Sequence, residues 1–202
     1  MSHYVKFTYQ RARKDIAPFD ALTELNAYRR KLLHQRLIGL DANGIGFGNL
    51  SVRDGVSGNF CITGSATGGL PELTPTDCVR VVAFDFAKNW LRYEGAAIPS
   101  SESLTHAAIY ESDSTISAVI HCHDSVLWRT RLDRAPTTSK AIAYGTPEMA
   151  YEIMRLFTVS DVRSRKIFAM AGHEAGIVTF GKNLEDAFDV VMRERRESSP
   201  CI

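Results

Sequence analysis

The sequence of 202 residues has no hydrophobic run long enough to cross a membrane. None of its apolar stretches approaches the roughly 18 consecutive residues that a membrane-spanning helix needs. The first residues, Met1 to Lys6, also lack the apolar core of a secretory signal. The sequence therefore predicts no membrane partner and a cytoplasmic location.

Cysteine and net charge are also scarce. The four cysteines, at positions 61, 78, 122 and 201, follow neither C-x-x-C spacing nor the dense pattern of small secreted scaffolds, which favours reduced thiols. Lysine and arginine are scattered along the chain and the formal net charge is +1. This distribution gives no electrostatic footprint for nucleic acid, so we expect no nucleic-acid partner.

The chain does contain enough apolar residues, 45% of the total, to bury a core of ordinary size. Residues 1–17 are polar and basic and are interpreted as an N-terminal arm, whereas residues 18–202 are predicted to form a single domain. Hairpins mixed with helices indicate an α/β fold with a largely antiparallel sheet covered by helices.

The periodicity of the sequence predicts both kinds of element. A helix capped by Asp20 carries apolar residues from Leu22 to Leu37, with Gly39 as its C-terminal glycine. The glycines from Gly44 to Gly48 superficially resemble a dinucleotide-binding motif, but here they follow a helix and precede a strand, which excludes that interpretation. Further strands are predicted at 59–63, 78–86, 90–94, 118–123, 166–171 and 176–180, and further helices at 101–111, 124–131, 146–157 and 183–192.

A His-x-His pair is the most informative motif. His121 and His123 lie in a predicted strand, where side chains at i and i+2 point to the same face, so that both imidazoles can bind one divalent ion. The pair alone could equally consist of polar residues on a half-exposed strand or of a hydrogen-bonded core pair.

Two further residues favour the metal. His173 lies in a turn between two apolar runs, and Glu102 opens a predicted helix after Pro99 and two serines. Three neutral imidazoles that leave one coordination position open are typical of a catalytic zinc site, in which a nearby carboxylate serves as fourth ligand or general base. Glu102 could instead be a helix N-terminal carboxylate that interacts with the helix dipole.

With these residues in view, the chain resembles the class II aldolase/adducin family over roughly residues 19–193. The resemblance rests on five ordered blocks, any one of which is weak and which together are specific. The blocks are Gly48-Asn-Leu-Ser51, Ile62-Thr-Gly-Ser65, Pro99-Ser-Ser-Glu102, His121-Cys-His123, and His173 ahead of Gly181-x-x-Leu-Glu-x-Ala187.

The resemblance implies a three-layer α/β/α fold with a central, mainly antiparallel sheet, and a homotetramer with active sites near subunit boundaries. It implies that zinc, or another divalent metal, is bound by His121, His123 and His173, with Glu102 beside it as acid/base residue or displaceable ligand. It also implies a site for a substrate phosphate at Asn49, Ser65, Ser100 and Ser101. Ser100 could alternatively be a plain helix cap.

The chain departs from the family pattern at several positions. Ala66 follows Ser65 where the family usually has glycine, and glycines come later, at 68 and 69. The segment between His123 and His173 is shorter than expected for the sugar-phosphate aldolases, and Glu174 stands where the family usually has glycine. The tail at 197–202 contains no tyrosine to match the catalytic tyrosine that the resemblance implies near the C-terminus. The acid/base residue on the far side of the substrate therefore stays unidentified.

Three functions are consistent with these features. The leading hypothesis is a zinc-dependent lyase of the aldolase type that cleaves a small hydroxylated carbonyl compound, with sugar phosphates among the candidates, through a metal-stabilised enediolate. A second hypothesis keeps the metal and changes the reaction to epimerisation or dehydration of a sugar phosphate. A third is a non-catalytic, adducin-like assembly module.

Overall fold

The computed structural model describes residues 5–16, 19–55 and 58–198. Its eleven strands are β1 (Thr8–Arg13), β2 (Gly39–Leu40), β3 (Gly46–Phe47), β4 (Asn49–Arg53), β5 (Phe60–Thr63), β6 (Cys78–Asp85), β7 (Trp90–Glu94), β8 (Ala118–His123), β9 (Thr137–Thr138), β10 (Ile167–Met170) and β11 (Gly176–Gly181). Its six α-helices are α1 (Leu22–His34), α2 (Ser103–Ser112), α3 (Ser125–Arg131), α4 (Pro147–Val159), α5 (Val162–Arg165) and α6 (Leu184–Ser198).

Nine of the strands form one sheet in the order β1-β7-β6-β5-β4-β8-β11-β10-β9, and β2 and β3 form a separate hairpin. The pairings are antiparallel except those of β1 with β7 and of β9 with β10. Strand β8 lies inside the sheet, between β4 and β11. This architecture confirms the predicted α/β fold with a mainly antiparallel sheet.

Helices cover both faces of the sheet and form two cores. Apolar residues of α2 and α4 pack on one face, and those of α1 and α6 pack on the other. Residues of β8 alternate between the two cores, because Val119 belongs to the first and Ile120 and Cys122 to the second. His121 and His123 therefore lie on the same face as Val119, towards α2.

The first helix ends earlier than its periodicity predicts. It begins after Ala21 rather than Asp20 and stops at His34. The backbone N–H of Arg36 donates to Leu33 and that of Leu37 to Leu32, which is a Schellman closure with Arg36 in the left-handed conformation at φ 57°. Leu37 continues the apolar pattern because it packs under the helix end, and Gly39 lies in β2.

Other element ends follow local capping. Asp124 caps α3, where its carboxylate accepts hydrogen bonds from the backbone N–H groups of Val126 and Leu127. Thr146 caps α4 in the same way, through the N–H of Met149. Helix α2 starts at Ser103, two residues later than predicted, with Glu102 at its N-cap position.

The segment interpreted as an arm contributes an edge strand. Strand β1 pairs in parallel with β7 from Thr8 opposite Trp90 onwards, and Phe7, just before it, is buried in the core. The boundary predicted between residues 17 and 18 lies outside the described residues, as does Cys201. No helix in the described part of the chain is long and apolar enough to span a membrane.

Candidate metal centre

The three histidines of the predicted zinc site lie together at one end of the central strands. His121 and His123 project from β8, which pairs with β11 so that His123 lies opposite Gly176. The turn between β10 and β11 brings in His173, because its N–H donates to Met170 and its carbonyl accepts from Gly176. The turn closes with Ala175 in the left-handed conformation, at φ 63°.

The imidazole nitrogens of these residues converge. The Nε2 atom of His123 is 3.2 Å from Nε2 of His121 and 2.9 Å from Nε2 of His173. One nitrogen of each ring can be chosen so that all three lie within 4.8 Å of one another. The three ring planes are steeply inclined to one another, at 71° to 87°. Three imidazoles around one ion leave a fourth tetrahedral position open.

Burial keeps these rings in the form that binds metal. Desolvation lowers the pKa of His123 to about 4 and that of His173 to about 3. For His121, burial and then the neighbouring histidines hold the pKa well below its usual value. The Nδ1 atom of His121 is 3.2 Å from the carbonyl oxygen of Ile177, an orientation that leaves Nε2 for an ion. The donor set therefore fits Zn²⁺.

Glu102 lies beside this cluster with one carboxylate oxygen uncommitted. It is 2% exposed, and its Oε2 accepts a hydrogen bond of 2.8 Å from the Thr105 hydroxyl. Its Oε1 has no hydrogen-bond partner among the described residues and is 3.9 Å from Nδ1 of His173. That distance is too long for a hydrogen bond. Because burial keeps His173 neutral, the contact is not an ion pair either.

The environment of Glu102 also suits proton transfer. Burial raises its pKa to about 7, against smaller lowering effects of Thr105 and of the positive charge of Lys6. A carboxylate that titrates near neutral pH can both accept and donate a proton under physiological conditions.

All eight predicted site residues line one cavity of about 210 Å³. The four residues assigned to phosphate therefore share it with the histidines and Glu102. Asn49 is buried, and its Oδ1 has no hydrogen-bond partner within the described ranges. Ser100 is buried as well, and its hydroxyl accepts a long hydrogen bond of 3.4 Å from the N–H of Glu102, two residues further on. This contact is a local turn before α2. The alternative interpretation of Ser100 as a plain helix cap is wrong, because Glu102 occupies the N-cap position and no side chain caps this helix.

The loop with the unusual alanine keeps a compact shape. Ala66 adopts the left-handed conformation at φ 62°, the region that glycine enters more readily. The Thr67 hydroxyl closes the loop with a 2.8 Å hydrogen bond to the carbonyl of Gly64. Ser65 and Ala66 both face the cavity.

The cavity also includes side chains that the sequence did not single out. The Tyr144 ring meets His173 edge to face at 4.5 Å between centroids, and the Phe47 ring lies 5.1 Å from that of His123. The Asp41 carboxylate accepts from the N–H groups of Asn43 and Ile45 at the cavity rim. No local motif marks these residues, although Tyr144 lies in the short segment between the second and third histidines.

Comparisons with known proteins agree with this description. Residues 32–193 match the family model for the Class II Aldolase and Adducin N-terminal domain. A solved L-fuculose 1-phosphate aldolase is 26% identical, with a TM-score of 0.68, and the alignment covers 91% of this chain and 84% of that one. No curated protein matches the sequence.

Two more distant structures share the fold. L-fuculose-1-phosphate aldolase from Thermus thermophilus is 19% identical with a TM-score of 0.63, over 88% of this chain and 90% of that one. Sugar-phosphate aldolase from Thermotoga maritima is 15% identical with a TM-score of 0.64, over 89% of this chain and 92% of that one.

Proposed function

Because the chain belongs to the Class II Aldolase and Adducin N-terminal domain family, we propose that it is a zinc-dependent lyase of the aldolase type. The observation that carries the proposal is the convergence of His121, His123 and His173 on a cavity that also holds a buried carboxylate, Glu102. The similar L-fuculose 1-phosphate aldolase supports a small hydroxylated carbonyl substrate that carries a phosphate.

The three histidines would hold the ion and leave a coordination position open to the substrate. Zinc bound there would act as a Lewis acid that polarises the substrate carbonyl. Glu102 would act as the acid/base residue that exchanges a proton with the substrate. Its Oε1 has no partner among the described residues and is free to face the substrate, while Oε2 accepts a hydrogen bond from Thr105. Burial of this carboxylate strengthens its basicity when it is ionised.

The phosphate of the substrate would bind at Ser65, Ser100 and Ser101, which line the same cavity. Ser100 and Ser101 directly precede α2, where backbone N–H groups and the helix dipole favour an anion. The amide of Asn49 would contribute a further polar contact. We also propose a cytoplasmic homotetramer, and the buried, free thiols of the three described cysteines are consistent with a reducing compartment.

Metal analysis tests the ligand assignment. We expect purified wild-type protein to bind one equivalent of zinc and His123→Ala to lose it, because two imidazoles cannot complete the site. The matched control is His34→Ala, at an exposed position on α1, which should bind as much zinc as the wild type. Unchanged zinc in the His123→Ala protein would refute the assignment.

Turnover tests the role of Glu102. The substitution Glu102→Gln should keep the zinc and lower kcat by about 100-fold or more, the usual contribution of a general acid/base residue. Zinc-loaded protein would be assayed against ketose phosphates, aldehyde phosphates and their unphosphorylated counterparts. Carbon–carbon cleavage supports the lyase; epimer or dehydration products would replace it by the second reaction class, and no turnover with bound zinc would favour an assembly module.

A further inference from the structure

A fully buried arginine lies directly behind the loop that carries Ser65. Arg29, on α1, is 0% exposed, and its Nη2 atom donates to the carbonyl oxygens of Thr67 at 2.9 Å and Leu70 at 2.7 Å. Its Nε and Nη1 atoms have no hydrogen-bond partner among the described residues. The guanidinium thus uses one of its three nitrogens and leaves the other two unsatisfied.

The positive charge of Arg29 is poorly compensated. Burial lowers its pKa, and Cys78 and Asp77 offset that lowering only in part. A cation removed from water without a close counter-ion is costly, and such groups normally pair with an anion. A group of this kind therefore indicates a function that compensates for its cost.

The loop held by Arg29 forms one wall of the metal cavity. Gly64, Ser65 and Ala66 line the cavity, whereas the carbonyls of Thr67 and Leu70 face the guanidinium. The loop is also packed tightly against β3, since a Cβ on Gly68 would lie 2.2 Å from the carbonyl oxygen of Phe47. Displacement of residues 67–70 would therefore move the wall at Ser65.

We propose that Arg29 is a positioning residue for recognition of an anionic substrate: it fixes the 64–70 loop from behind, and its buried charge is compensated when a phosphate group binds at Ser65. This inference rests on the proposed function only for the nature of the substrate. It explains how a loop without the glycine expected after Ser65 can form an anion site. In this proposal the buried cation at position 29, which donates to the carbonyls of Thr67 and Leu70, holds the loop in place of a glycine turn.

The test is binding of inorganic phosphate to zinc-loaded protein, measured by calorimetry. Arg29→Met removes the charge at similar size, and Arg29→Lys keeps the charge with a weaker hold on the two carbonyls. The matched control is Arg30→Met, which removes the exposed neighbouring arginine. Zinc content and circular dichroism of every variant report whether the metal centre and the fold are intact.

We expect Arg29→Met to weaken phosphate binding about tenfold, since the buried charge that holds the 64–70 loop is lost. Arg29→Lys should stay within about threefold of the wild type, and Arg30→Met should be unchanged. A purely structural role would instead impair Arg29→Lys as much as Arg29→Met. Equal impairment of the two variants would therefore overturn the proposal. So would a folded Arg29→Met protein with wild-type phosphate affinity, or a wild-type protein that binds no phosphate.

The same samples separate this inference from the proposed function. Cleavage activity with unaltered phosphate affinity in Arg29→Met would leave the lyase standing and remove the role of Arg29. Loss of phosphate affinity in a protein without lyase activity would do the reverse. If Arg29→Met does not fold, Arg29→Lys is compared with Arg30→Met instead. A loss of phosphate affinity above about threefold in Arg29→Lys alone would contradict the proposal, because this variant keeps the charge.

Discussion

Glu102 is a carboxyl group that the fold holds in its protonated form up to near-neutral pH. Its pKa rises from an ordinary value of 4.5 to about 7 through burial. The native state therefore binds this proton more tightly than the unfolded chain does, and stability falls as pH rises from about 4.5 through about 7. Above that range the ionised carboxylate costs the metal-free protein about 3 kcal/mol, from the difference between the two pKa values.

Replacement of this carboxyl group by an amide should remove the cost. We expect Glu102→Gln to raise the free energy of unfolding of metal-free protein at pH 8 by up to about 3 kcal/mol and to leave it unchanged at pH 4, where both side chains are neutral. Urea denaturation at the two pH values measures the difference. Glu174→Gln, at an exposed turn position, is the control. Equal effects at both pH values would show that burial does not control the ionisation of Glu102.

The proposed metal ligands and the proposed acid/base residue are easier to predict from the sequence than the residues that only line the cavity. His121 and His123 share a strand face by simple alternation. His173 and Glu102 are predicted from their residue types and from the ordered blocks that resemble the family. Phe47 reaches the same cavity from β3, and Asp41 and Tyr144 reach it from turns, all of which depend on tertiary contacts for their course. Nothing in their local sequence predicts that course, so they were missed.

At the scale of elements, ends were harder to predict than existence. The strand Ala118–His123 has the bounds that alternation predicts, whereas α1 stops before Leu37 although the apolar period continues. A hydrophobic residue after a Schellman closure contacts the same core as the last helical turn. Periodicity therefore cannot distinguish a residue inside the helix from one just after its end. Arg36 takes the left-handed position there, where a glycine would have marked the end.

The close contact between the 64–70 loop and the hairpin of β2 and β3 gives a prediction for these elements. Gly68→Ala would place a methyl group on the Phe47 backbone, which cannot move aside as a side chain can. We expect a loss of about 1–3 kcal/mol of stability, as for other overpacked sites, together with weaker phosphate binding. The control Gly44→Ala has a positive φ but open space around its Cβ. Chemical denaturation and calorimetry compare the two, and an equal, small loss in both would exclude the contact as the cause.

At the scale of the whole molecule, hairpins mixed with helices predicted a largely antiparallel sheet covered by helices, and the family resemblance implied its three layers. The position of the N-terminal segment was not predicted. A short alternating stretch indicates a strand but does not identify the strand it pairs with. Strand β1 pairs in parallel with β7, about 80 residues away, with Thr8 opposite Trp90. Parallel pairing over such a distance leaves no turn signal in the sequence. The N-terminal segment also reaches the site, because the Lys6 ammonium lies 3.8 Å from the centre of the Tyr144 ring.

If this segment belongs to the folded unit, its anchor should contribute to global stability. Phe7 is 5% exposed and packs in the core that contains α2 and α4. We expect Phe7→Ala to lower the free energy of unfolding by about 3 kcal/mol, the usual cost of a large core truncation. Tyr9→Ala, at a side chain that is 42% exposed, should cost much less. Urea denaturation of both variants decides: a Phe7→Ala midpoint equal to that of the wild type would mean that the segment is a detachable arm, because truncation of a side chain outside the cooperative unit leaves global unfolding unchanged.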